Sequence, residues 1–164
     1  MRILQEGDRK LGAMKTTFIA ALSVATALSS AAVAHAGNDH YQFLSPTGNI
    51  ACTMDSSGPA YAVCKVREHV WPTPATGSCE LASVPGTTGK PGADLQLAEG
   101  DRPCLGSNIG QVFFDGTDAP ASLDYGRSYI AGTITCGTEP AGVTCTDART
   151  GHYFRVSRES YELG

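Results

Sequence analysis

Residues 123–163 read LDYGRSYIAGTITCGTEPAGVTCTDARTGHYFRVSRESYEL. Read for period-2 alternation, this stretch gives a strand, a turn at Glu139-Pro140-Ala141-Gly142, a second strand, a glycine turn and a third strand. Ile130, Ile134 and Cys136 are expected on one face of the first strand, with Gly132 between them. Val143 and Cys145 return opposite them, and Phe154 and Val156 form the apolar side of the last strand. Cys136 and Cys145 therefore face each other across the first turn. Ser157 to Tyr161 has the composition of a single helical turn, and the chain after residue 36 has no sustained 3.6-residue periodicity. The fold class is all-β, a compact disulfide-stapled antiparallel sandwich or small barrel.

Upstream, the same device recurs in shorter form. Ile50, Cys52 and Met54 alternate with smaller or polar residues, and Tyr61 to Arg67 returns with Ala62, Cys64 and Val66 on one face. Asp55-Ser56-Ser57-Gly58-Pro59 supplies the intervening turn, and Ser45-Pro46-Thr47-Gly48 an earlier one. Gly-x-Ile-x-Cys occurs at both 48–52 and 132–136, an echo that either a duplication or reuse of one hairpin recipe would produce. From Trp71 to Gly92 the pattern gives way to WPTPATGSCELASVPGTTGKPG, whose prolines and glycines argue against central strands. This reads as a long surface connection tied down by Cys79. Strand character resumes at Gly110-Gln111-Val112-Phe113-Phe114 and stops at the turn pair Asp115-Gly116.

The first 36 residues are set apart from the fold. Lys15 leads into TTFIAALSVATALSSAAVA, and Ala34-His35-Ala36 fits an A-x-A cleavage site, the features of a signal peptide. Met14 as the start gives a compact leader, and Met1 adds a polar extension; export is expected from either. No cysteine sits at the cleavage point for lipid anchoring, and no second apolar run is long enough to span a bilayer. Residues 37–164 then form a single secreted domain, expected to be monomeric. Its eight basic and fourteen acidic side chains give a formal charge of −6 without a basic cluster, which disfavours nucleic acid and anionic membranes as partners.

All six cysteines lie after residue 36, and an even count in a small exported domain reads as a disulfide framework. Six cysteines permit fifteen connectivities. Hairpin geometry narrows them, because facing strands bring α-carbons within the roughly 4.4–6.8 Å a disulfide accepts. Cys136 and Cys145 have eight residues between them and Cys52 and Cys64 eleven, both suited to cross-hairpin bridges, which leaves Cys79 with Cys104.

These residues carry a resemblance. Phe43 to Cys52 (FLSPTGNIAC), Trp71-Pro72-Thr73-Pro74 with Cys79-Glu80, and Leu123-Asp124-Tyr125-Gly126 are its first pieces. Gly142-Val143-Thr144-Cys145-Thr146, Gly151-His152-Tyr153-Phe154 and Ser157-Arg158 complete it. Together they make the chain similar to a family of small secreted actinobacterial proteins defined only as a domain of unknown function. The segment after Glu80 and Tyr153 depart from the family pattern. The resemblance implies export and a disulfide-bonded fold, and it supplies neither catalytic residue nor ligand.

No catalytic constellation emerges. Ser157, His152 and Asp147 are near in sequence, but there is no Gly-x-Ser-x-Gly elbow. His40, His69 and His152 are widely spaced, and DGTDAPASLD, with Asp115, Asp118 and Asp124, lacks calcium-loop spacing, so no metal site is expected. Thr87-Thr88-Gly89-Lys90 lacks the upstream glycine of a phosphate loop, and no cofactor is expected. Trp71, Tyr61 and Tyr125 are candidates for an aromatic platform facing a sugar or peptide. Arg155 and Arg158 are candidate anion contacts, and His152 is either a structural histidine or an acid–base group. The leading expectation is a non-catalytic extracellular or envelope-associated protein of unknown ligand, its binding surface on the 71–92 loop and neighbouring aromatics. The alternative is a small secreted hydrolase acting on cell-wall or peptide material through His152 and a carboxylate.

Mass mapping of the unreduced protein is expected to return the pairs 52–64, 79–104 and 136–145. A crossed pair such as 52–136 would refute the two-hairpin reading.

Overall fold

A computed structural model describes residues 39–81, 83–108 and 119–164. Residues 1–38, where a signal peptide is expected, lie outside the described residues, as do the expected strand at 110–114 and its turn with Asp115, and Asp118. Ten strands alternate with turns: β1 (His40–Leu44), β2 (Ile50–Asp55), β3 (Tyr61–Val66), β4 (Asp94–Ala98), β5 (Cys104–Gly106), β6 (Ser128–Ala131), β7 (Ile134–Glu139), β8 (Gly142–Asp147), β9 (Tyr153–Val156) and β10 (Tyr161–Leu163). They form two five-stranded antiparallel meanders, β1-β2-β3-β4-β5 and β10-β9-β8-β7-β6, each with its strands in chain order. Neither sheet closes on itself, and they pack face to face as a sandwich, with β3 against β7, β4 against β8 and β9, and β1 against β6.

The layer between the sheets is apolar because alternation sends every second side chain inward. Ile50, Cys52 and Met54 of β2, Ala62 and Cys64 of β3, and Leu95 and Leu97 of β4 meet Ile134, Cys136, Val143, Cys145, Phe154 and Val156. All three disulfides join the expected partners. In the two hairpins the bonded cysteines are directly opposite each other in the ladder, Cys52 to Cys64 and Cys136 to Cys145. Their α-carbons are 4.1 and 4.0 Å apart, close to the narrow pair of an antiparallel ladder. The two bridges also meet: Sγ of Cys64 lies 4.0 Å from Sγ of Cys145, at the centre of the core.

Sheet one is covered on its outer side too. Val63 of β3 and Ala98 of β4 point away from the sandwich core into a second apolar cluster with Val84, flanked by Tyr61 and Leu81. The Pro/Gly-rich connection is thus the outer roof of this sheet, and Cys79–Cys104 bonds it to β5. Beneath it Gln96, fully buried on the same face of β4, accepts hydrogen bonds from Thr87 Oγ1 (2.6 Å) and Asn108 Nδ2 (3.3 Å). Among the described residues no such roof covers the outer face of sheet two, which carries the part-exposed Thr135, Thr144, Thr146 and Tyr153.

Three sequence expectations need correction. Ile130 does not share a face with Ile134 and Cys136: Gly132, at φ +56°, turns the chain between β6 and β7 and sends Ile130 outward opposite Thr135, 38 % exposed. β4 and β5 lie where no strand was expected, and their signal was Leu95-Gln96-Leu97, a single alternation inside a glycine- and proline-rich neighbourhood. Ser157–Ser160 is a turn closed by Ser157 N–H donating to Ser160 O (2.8 Å), and Tyr161 then starts β10 rather than ending a helical turn.

Each short loop closed by a disulfide is worth on the order of 3 kcal/mol in the chain-entropy view. Because the hairpin bridges touch, removing Cys52–Cys64 and Cys136–Cys145 together by Cys→Ala is expected to depart from the sum of the separate losses by about 0.5 kcal/mol or more. Combining the loss of Cys136–Cys145 with that of Cys79–Cys104 is expected to be additive within about 0.5 kcal/mol. Urea midpoints at equal m-value test both.

Candidate functional site

Meander topology sorts the turns to two ends. At one end the turns after β2, β4, β6 and β8 come together, and here the sheets are tied by polar links. Asp147, at the end of β8 and fully buried, accepts hydrogen bonds from Gly100 N–H (2.9 Å), Arg149 N–H (3.0 Å) and Thr150 Oγ1 (3.0 Å). His152 Nδ1 is 2.8 Å from the Asp101 backbone carbonyl, and Arg149 lies 3.9 Å from Glu99. Burial alone would raise the Asp147 pKa, but the donors aimed at its oxygens outweigh it and hold the carboxyl at about 2.

The opposite end opens into a cleft of about 490 Å³. Its walls come from the β1–β2 turn, the exit of β3, the β7–β8 turn and the β9–β10 turn, with Tyr125 at the rim. The β1–β2 turn is fixed by Gly48 N–H donating to Ser45 O (2.8 Å) and by Ile50 N–H donating to Ser45 Oγ (3.1 Å). Asn49 clips it to the end of β3: Nδ2 donates to Glu68 O (2.9 Å), and Glu68 N–H donates to Oδ1 (3.0 Å). Across the cleft, Ser157 Oγ accepts from the N–H groups of Glu159 and Ser160, both at 3.1 Å. Gly142 supplies a close approach beneath: at φ +131° its missing Cβ would run into the Val156 carbonyl. Charged groups at the cleft are Arg67, Arg158, Glu68, Glu139 and Glu159.

The residues singled out from sequence are divided among five places. Tyr125, 46 % exposed, and Arg158 line the cleft. Trp71, 8 % exposed, stands behind its wall, donating Nε1–H to Ser157 O (3.1 Å), stacked on His69 at 3.8 Å and edge-on to Tyr161. Tyr61 packs beside the outer cluster of sheet one, where burial, and secondarily the Asp55 carboxylate, pushes its phenol pKa up. Arg155 is on the outer face of sheet two, its Nε donating to Thr144 Oγ1 (3.2 Å), and His152 is at the far end. Trp71, Tyr61 and Tyr125 therefore do not make one platform. Asn49, Glu68 and Glu139 also line the cleft, and no motif in the sequence marks them as site residues. The signal available was topological, since alternate turns of a meander share an end.

His40 Nδ1 pairs with Asp55 Oδ2 (3.2 Å) and His69 Nδ1 with the Trp71 carbonyl (2.8 Å), so none of the three described histidines reaches the cleft. Among the described residues no three His, Cys, Asp or Glu side chains are placed to hold a metal ion, and no helix is long and apolar enough to cross a membrane. No family model, curated protein or solved structure matches the chain.

The Asp147 carboxyl generates an acid limb. Its folded pKa of about 2 lies below the roughly 3.9 of an unfolded aspartate, so its contribution is complete above about pH 5 and lost as pH falls from about 4 through 2. Asp147→Asn is expected to cost on the order of 2 kcal/mol at pH 7 and to flatten the stability profile across that window. Unfolding midpoints from pH 7 down to 2 measure both.

Proposed function

We propose that this is a secreted, non-catalytic binding module of the extracellular space or cell envelope, with the end cleft as its ligand surface. Three disulfides and no free cysteine suit an oxidising environment outside the cytoplasm. The leader-like residues 1–36 and the resemblance to small secreted actinobacterial proteins support the same placement. The observation that carries the binding reading is the construction of the cleft. The β1–β2 turn, the exit of β3 and the β9–β10 turn are held in place by hydrogen bonds, yet the cleft they form with the β7–β8 turn presents charged side chains and the exposed Tyr125 ring to solvent. Rigid loops on a sandwich end are a common way to hold a ligand without moving to meet it.

The cleft, rather than the 71–92 loop, is the surface proposed. Leu81 and Val84 of that loop are spent on roofing sheet one, and Trp71 braces the cleft from behind. The hydrolase alternative draws no support from His152, whose Nδ1 is held by a backbone carbonyl instead of a carboxylate.

The oxidised protein is expected to give no turnover of peptidoglycan or peptide esters, while retaining components of envelope extracts in pull-downs that the reduced protein loses. A hydrolytic activity abolished by His152→Ala would overturn the proposal.

A further inference from the structure

We propose that the cleft takes a short peptide by its free carboxylate, with Arg158 as the receiving group; this rests on the binding-module reading above. Arg158 lines the cleft, is exposed, and has no side-chain partner among the described residues, whereas Arg67 already has an interaction within the fold. Its backbone, by contrast, is held from two sides. The Arg158 carbonyl accepts the Val70 N–H (3.0 Å), the Ser157 carbonyl accepts the Trp71 indole N–H (3.1 Å), and Ser157 Oγ caps the N–H groups that follow. A guanidinium on an immobilised turn forfeits only side-chain freedom when it binds. Its planar fork matches a carboxylate through two parallel N–H···O bonds.

The neighbouring charges narrow the class of ligand. Glu68, Glu139 and Glu159 share the cleft with the two arginines. A polyanion such as a phosphate polymer would meet three carboxylates, and a neutral saccharide would leave the guanidinium unmatched. A ligand with one carboxylate and one ammonium group satisfies both signs, which describes a short peptide with a free C-terminus and a basic side chain or amino terminus. The Tyr125 ring, half exposed at the rim, offers the apolar surface for a side chain of that peptide. A cavity of about 490 Å³ falls in the range of small-ligand sites and accommodates a few residues.

The test is a titration of the oxidised, isotopically labelled secreted protein with a library of tri- to pentapeptides containing lysine, prepared as free acids and as C-terminal amides. Free acids are expected to shift amide resonances of Asn49, Glu68, Tyr125 and Arg158. Amidation of the peptide and Arg158→Ala are each expected to weaken binding at least tenfold, with Arg158→Lys in between, because Lys keeps the charge and loses the fork. Arg158 is exposed, so both variants retain the fold, and unchanged spectra elsewhere verify this. Equal binding of acids and amides, an unaffected Arg158→Ala variant, or no cleft shifts at about 1 mM peptide would overturn the proposal. In that event a neutral chitooligosaccharide that moves the same resonances removes only the peptide and leaves the cleft as the binding surface. Probes whose shifts all map away from the cleft remove both.

Discussion

Four sulfur atoms at the middle of the sandwich set the rest of the structure. Each hairpin bridge fixes the register of one sheet, because its cysteines are opposite each other in the ladder, and a one-residue slip would separate them and turn every inward side chain to solvent. The 4.0 Å contact between Cys64 and Cys145 then seats one sheet on the other. Around this centre the packing residues are of ordinary size, with Phe43, Met54 and Phe154 the largest fully buried side chains of the layer. A sulfur-rich centre of this kind lets modest apolar burial specify one arrangement of two glycine-rich meanders.

The two sheets are alike in topology and unlike in surroundings. Sheet one has both faces buried, so β2 reads as nearly continuous burial and Ala51 and Thr53 on its outer side are covered as well. Sheet two keeps the strict alternation of a half-exposed sheet, visible in β8, where Val143, Cys145 and Asp147 are buried between part-exposed neighbours. The ends differ in the same way. One is sealed by Asp147, Arg149 and His152 reaching the β4–β5 turn, and the other is left open as the cleft. A polar clamp at one end and a polar opening at the other are both built from turns, which explains why no motif marks them in the sequence.

What the chain disclosed in advance follows from which forces are local. Hairpins with cysteines at matching positions announce themselves, because alternation and turn chemistry act over a few residues: Ser45-Pro46-Thr47-Gly48 and Glu139-Pro140-Ala141-Gly142 are both turns in the structure. β4 stayed hidden because its partners, Val63 and Cys64 in β3, lie some thirty residues upstream across a loop of irregular composition. The outward turn of Ile130 is hidden in the sequence, because nothing local distinguishes a glycine within a strand from Gly132 in its left-handed turn. Of the candidate site, the side chains Tyr125 and Arg158 were visible as residue types. Their company was not, since Asn49, Glu68 and Glu139 join them only through the stacking of two meanders.

The cysteines bond in consecutive pairs along the chain. In a polypeptide exported as proposed and emerging N-terminus first, Cys52 and Cys64 appear together, then Cys79 and Cys104, then Cys136 and Cys145. Each thiol thus meets its correct mate before a wrong one downstream is available. Oxidative maturation of such a chain can proceed vectorially with a simple oxidant, and it makes little demand on the thiol–disulfide exchange that rescues proteins with interleaved bridges.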